Sequence, residues 1–157
     1  MTTIQEAKLF LREKYFSKQK AVCPCCNCEV VVRKESLSKG LVDTLAKFYL
    51  ECRFQGSNQL HLQTETDFTK NQYNNFQKLH YFGLVEKTDK TGVWMITTDG
   101  ESFLFNTKLM PKCVYVFRNR VVESDGELVS FNSYKKYLPE EYWTKIGSYS
   151  VEQKGLF

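Results

Sequence analysis

Apolar positions recur along this chain at helical and strand-like spacings in turn. In residues 3–17, Ile4, Ala7, Leu11 and Tyr15 return at three- and four-residue steps, which predicts an amphipathic helix. Phe10 broadens its apolar face, and Lys8, Arg12 and Lys14 lie away from it. The β-branched run Val30, Val31 and Val32 within 29–33 predicts a strand. Ser38 then opens a second helix over about 39–53, with Leu41, Leu45, Phe48, Tyr49 and Cys52 on one side, ending before the turn Gly56-Ser57-Asn58. Residues 60–62 read as a short strand. Over 65–82, Phe68, Tyr73, Phe76, Leu79 and Phe82 stand at helical spacing, which predicts two helices with a break near 69–71. Tyr73, Phe76 and Leu79 are expected to face the core.

Beyond residue 107 the pattern shortens. Residues 114–117 and 121–123 read as strands around Arg118-Asn119-Arg120, and 128–131 as a third strand after Ser124-Asp125-Gly126. A small antiparallel sheet is expected. The segment 133–146 carries Tyr134, Tyr137, Tyr142 and Trp143, with a short helix interrupted at Pro139. Its aromatic residues offer a surface for a homodimer.

The stretch 79–104 is the most specific part of the chain. An apolar helical stripe stops at Gly83, a residue suited to a helix C-terminus, and a strand follows at 84–86. Residues 88–92 make a turn. Val93, Trp94, Met95 and Ile96 form the returning strand, and Thr97 or Thr98 caps a helix opening at Asp99. The order over 37–106 is helix, strand, helix, helix, strand, strand. Carried by Leu79, Gly83, Leu84, Val85, Trp94, Ile96, Thr97, Gly100 and Phe103, it resembles the winged helix-turn-helix family. With the cysteine cluster before it and the small sheet after, the whole chain is also similar to small uncharacterised bacteriophage proteins.

The resemblance implies sequence-specific binding of double-stranded DNA, usually as a symmetric dimer with recognition helices in successive major grooves, as in a transcriptional regulator. The expected fold is α+β. It comprises an N-terminal helix and cysteine-rich turn over 1–36, a winged helix-turn-helix core over 37–106 and a small β-rich C-terminal extension over 107–157. With Phe76 and Leu79 turned inward, Asn71, Gln72, Asn74, Asn75, Gln77, Lys78 and His80 are left for solvent or a ligand. Asn and Gln bond adenine at two points in the major groove, and Lys70 and Lys78 suit phosphates. Lys87 and Lys90 on the wing turn suit the DNA backbone. A solvated helix face and a soluble hairpin tip explain the same residues, since 64–92 holds four bases and four acids. The rival reading is a protein-interaction module of the same fold that engages a host or phage protein without DNA.

Composition narrows the field further. A chain of 157 residues with 42% hydrophobic and 15% aromatic residues can bury a sizeable core, so it is expected to fold. Residues 1–36 hold seven Lys or Arg against four acids, and 107–121 hold Lys108, Lys112, Arg118 and Arg120 with no acid. The net charge of +4 is too small to imply a nucleic-acid partner by itself. The sequence shows no apolar run near the roughly 18 residues a membrane span needs, and no signal pattern opens it. A cytoplasmic protein with no membrane partner is expected.

Four of the six cysteines fall at 23, 25, 26 and 28, too close together to staple distant parts of a fold. They form two overlapping Cys-x-x-Cys pairs, Cys23 with Cys26 and Cys25 with Cys28. Such a pair grips Zn²⁺ through two thiolates, and the first resembles the Cys-Pro-x-Cys knuckle of zinc ribbons. Cys23, Cys26 and Cys28 are the candidate zinc ligands. A fourth ligand would come from Cys52, Cys113, His61, His80 or a second subunit, because no second Cys-x-x-Cys follows at ribbon spacing. Reduced structural thiols are the alternative.

Catalysis finds little footing. His61 and His80 stand in no nucleophile motif and beside no paired carboxylates, and the eight glycines form no phosphate loop. A binding protein is expected, not an enzyme.

Overall fold

The computed structural model describes residues 3–17, 21–22, 24–25, 27, 29–30, 33–117, 120–124 and 126–155. The chain opens with α1 (Ile4–Ser17). A hairpin follows in which β1 (Ala21–Val22) pairs antiparallel with β2 (Glu29–Val30) around the cysteine-rich segment. Of the strand expected over 29–33, Glu29–Val30 form β2, Arg33 opens β3 (Arg33–Ser36) in a different sheet, and residues 31–32 lie outside the described residues.

Ser38 accepts a hydrogen bond from the Leu41 amide and starts α2 (Lys39–Gln55), which Gly56 closes in the left-handed region at φ 69°. Its buried residues, Leu41, Val42, Thr44, Leu45, Ala46, Phe48, Tyr49 and Cys52, go beyond one stripe because α2 is packed by helices on several sides. The Thr44 hydroxyl meets its burial by donating to the Gly40 carbonyl. Next come β4 (Gln59–His61), α3 (Lys70–Asn75), α4 (Lys78–Tyr81), β5 (Val85–Lys87), β6 (Val93–Ile96) and α5 (Thr98–Leu104). Antiparallel pairing orders one sheet β4-β6-β5, with Leu60 opposite Trp94 and Lys87 opposite Trp94 on the other side.

The helical stretch differs from its expected form. No helix forms over 65–69, where His61 and Glu65 close a turn by two hydrogen bonds, Glu65 N–H to the His61 carbonyl and His61 N–H to the Glu65 carboxylate. Thr69 and Gln72 form a reciprocal capping box, so α3 starts at Lys70. The interruption falls at Phe76 and Gln77 instead of 69–71. Phe76 and Leu79 are buried as expected, whereas Tyr73 is 40% exposed.

The C-terminal sheet recruits a strand from far upstream. β8 (Cys113–Phe117) lies between β3 and β9 (Arg120–Ser124), with Ser36 opposite Cys113. β10 (Leu128–Val129) is shorter than the strand expected over 128–131 and pairs with β7 (Met110–Pro111) in a separate ladder. A 3-10 helix (Phe131–Tyr137) then leads past Pro139 to α6 (Glu140–Gly155), longer than the short helix expected. Phe131 and Tyr134 are buried, Tyr142 and Trp143 pack against the core, and Tyr137 stays exposed, so most of the expected dimer aromatics cover this chain's own interior. One apolar core runs from Leu37 to Ile146. Among the described residues, no helix is long and apolar enough to cross a membrane.

Candidate nucleic-acid interface

Trp94 is the pivot of the surface formed by α3, α4 and the β5–β6 hairpin. Strand alternation turns it inward, where its ring meets Phe76 edge-on at 5.4 Å and His80 at 6.2 Å. The Lys87 ammonium lies 5.5 Å from the centre of the same ring. A cation of the hairpin is thereby held beside the helical segment. His80 is further fixed by a 3.2 Å hydrogen bond between Nδ1 and the Val85 carbonyl, which requires the proton on Nδ1.

The turn over 88–92 is braced by its own backbone and by β4. The Thr88 hydroxyl donates to the Val93 carbonyl at 2.9 Å and accepts from the Lys90 amide at 3.2 Å. Gly92 adopts φ 77°, and a Cβ there would meet His61 Nε2 at 2.7 Å, so both conformation and space call for glycine. The Leu62 amide donates to the Gly92 carbonyl. Asp89, Lys90 and Thr91 are left exposed at the tip.

The candidate contact residues divide into two groups. Lys70, Asn71 and Asn74 are exposed on α3, and Lys90 is exposed on the turn. Gln72 is committed internally: its side-chain oxygen accepts from the Thr69 amide at 3.0 Å and from Lys47 Nζ at 3.3 Å, and its amide nitrogen donates to Asp43 at 3.4 Å. Burial raises the Asp43 carboxyl above its ordinary range, while Lys47 and the Gln72 amide pull it back. Lys78 forms a 3.6 Å ion pair with Glu35 of β3. Asn71, Asn75 and Lys78 line a cleft of about 350 Å³ whose other wall is β3 and the start of α2, at Glu35, Ser36 and Ser38. Gln77 and His80 are exposed, and Tyr73 joins them although its spacing suggests core. Burial at three-residue steps holds for Phe76, Leu79 and Phe82 but does not extend back to Tyr73, so spacing alone does not separate Tyr73 from the core.

At the end of β5 and β6 remote from the turn lies a wider cleft of about 560 Å³, lined by His80, Glu86, Asp99 and Glu101 among others. Burial raises the Glu101 carboxyl, opposed by the charge of Arg53. Asp99 is paired with Lys108 at 2.7 Å.

The zinc candidates Cys23, Cys26 and Cys28 lie outside the described residues. The further ligands considered for them are dispersed: Cys52 is buried in α2, and Cys113 is buried in β8 with its sulfur 3.4 Å from the Ser36 hydroxyl. His61 Nδ1 accepts from the Gln63 amide, and His80 is held at Val85. Among the described residues, no three His, Cys, Asp or Glu side chains come together as a metal site. No family model, curated protein or solved structure matches this chain.

Proposed function

We propose that this chain is a winged-helix protein that binds duplex DNA, with the 70–82 segment in the major groove and the 88–92 turn against the backbone. The order α2, β4, α3, α4, β5 and β6, with β5 and β6 paired as a hairpin, supports that reading. The observation that carries the reading is Trp94, whose ring lies against Lys87 of the hairpin and against Phe76 and His80 of the helical segment, which supports a surface shared by the hairpin cation and the exposed side of that segment. Lys70 and Lys90 extend that surface at the helix start and at the wing tip. Regulation of phage transcription, by a symmetric dimer, is the role this binding would serve.

Titration of the full chain with duplex DNA at rising salt tests the reading. Affinity should fall steeply, and replacing Lys87 and Lys90 together by alanine should lower the log–log salt slope by about two. Absence of duplex binding even at about 50 mM salt would remove the proposal.

A second reading draws on the carboxylates Glu86, Asp99 and Glu101 in the wide cleft, which favour a basic protein surface over phosphate. It makes the chain an interaction module that engages a host or phage protein. Zinc held by Cys23, Cys26 and Cys28 is a separate part of the proposal and rests on their spacing alone.

A further inference from the structure

The helical segment tightens where its buried residues fall three apart. Leu79 N–H bonds the Phe76 carbonyl, His80 N–H the Gln77 carbonyl and Phe82 N–H the Leu79 carbonyl, each a three-residue step. Gln77, at φ −60° and ψ −22°, has the dihedrals of a 3-10 turn. Phe76, Leu79 and Phe82 are all buried on the inner side of this segment. In α3 and α4 on either side of this turn, residues three apart also share a helix face. Asn74, Gln77 and His80 stand in one exposed row.

The other amides of the segment have further surroundings. Gln72 is spent on the capping box, Lys47 and Asp43, while Asn71 and Asn75 line the cleft walled by Glu35. Resting on the duplex-binding reading, we infer that Asn74 and Gln77 are the base-reading pair and that they recognise two adenines one or two base-pair steps apart. The amide of Asn or Gln matches adenine N6 and N7 in a two-point geometry. Three residues advance about 4.5–6 Å along the helix axis, against about 3.4 Å per base-pair step, so the two side chains meet neighbouring or next-neighbouring pairs.

Selection of preferred sites by the full chain from a randomised duplex library tests this, with folding of each variant checked by its thermal melt. The wild type should enrich two nearby adenines. Asn74→Ala and Gln77→Ala should each weaken the preference at one of them by roughly tenfold while keeping low-salt affinity for unrelated DNA. Asn75→Ala should leave both preferences intact. Gln77→Glu, which keeps the side chain's shape, should shift its position from adenine toward cytosine, an outcome a purely structural role would not produce. The inference is overturned if Asn75→Ala erases the preference while Asn74→Ala and Gln77→Ala spare it. It is equally overturned if the wild type binds every duplex alike, a result that leaves DNA binding itself standing. No binding at low salt removes both.

Discussion

The carbonyl oxygen of Leu84 occupies the space that a side chain at Gly100 would need. A Cβ there would collide with that oxygen and come within 2.8 Å of the Ile96 side chain. The approach is close because Thr97 draws α5 onto the start of β5. Its amide donates to the Leu84 carbonyl at 3.1 Å, and its hydroxyl donates to the Gly83 carbonyl at 2.6 Å while capping the Gly100 amide.

Gly100→Ala should therefore destabilise the protein by about 1–3 kcal/mol, since the obstacle is backbone and cannot swing aside. Urea unfolding followed by circular dichroism measures it. A midpoint equal to that of the wild type would contradict the contact.

At α3 the exposed element depends on its cap. Thr69→Ala removes the hydroxyl that receives the Gln72 amide and should cost about 1 kcal/mol. Because Gln72 also bonds Lys47, Thr69→Ala and Lys47→Ala should be non-additive in a double-mutant cycle. Strict additivity would show that the cap and the Lys47 contact act separately.

Two buried acids make the fold sensitive to alkali. Burial pushes the Cys52 thiol from 9.0 up to about 12, with Glu101, Glu51 and Glu65 adding to it. Burial likewise pushes the Tyr49 phenol from 10.0 up to about 12, against the charge of Arg53. Both folded values lie above the unfolded ones, so the unfolded chain loses these protons first. Stability should hold below pH 9.0 and fall as the pH rises toward about 12. Denaturation midpoints at stepped pH should show this fall, and Cys52→Ala should flatten its first part. An unchanged slope in Cys52→Ala would acquit the thiol.

If the cysteine turn binds zinc, purified protein should retain about one ion per chain, and Cys23→Ser should release it. Chelation should lower the thermal midpoint of the wild type more than that of the variant. Metal-free protein with an unchanged melt would leave these residues as reduced thiols.

How far the sequence reveals this structure depends on the range of each signal. Ser38, Gly56, Gly83 and Thr97 mark their helix ends legibly because capping is settled within a few residues. The β5–β6 hairpin is legible for the same reason, as Gly92 and the flanking strands lie next to one another in sequence. The break at Phe76 and Gln77 is not. Periods of 3 and 3.6 differ little over two turns, and the partners of Phe76, namely Phe48, Phe68 and Trp94, meet it only in the folded core. The commitments of Gln72 and Lys78 are also hidden, since their partners Asp43 and Glu35 lie in other elements. For the candidate site this matters most: residue types suitable for base contact are visible in the sequence, but which of them point outward is decided by tertiary packing.

The union of β3 with β8 also bears on how the chain is made. Ser36 and Cys113 are 77 residues apart, and at ribosomal speeds of about 5–20 residues per second roughly 4–15 s separate their synthesis. The Leu37 amide waits for the Lys112 carbonyl over the same interval, and the Leu37 carbonyl waits longer still for the hydroxyl of Tyr134. On the nascent chain, helix α2 can be capped and wound while the strand before it has no partner. The last third of the polypeptide thus finishes the first, and a chain stalled near residue 106 would leave the ribosome with β3 open to pairing with a neighbour.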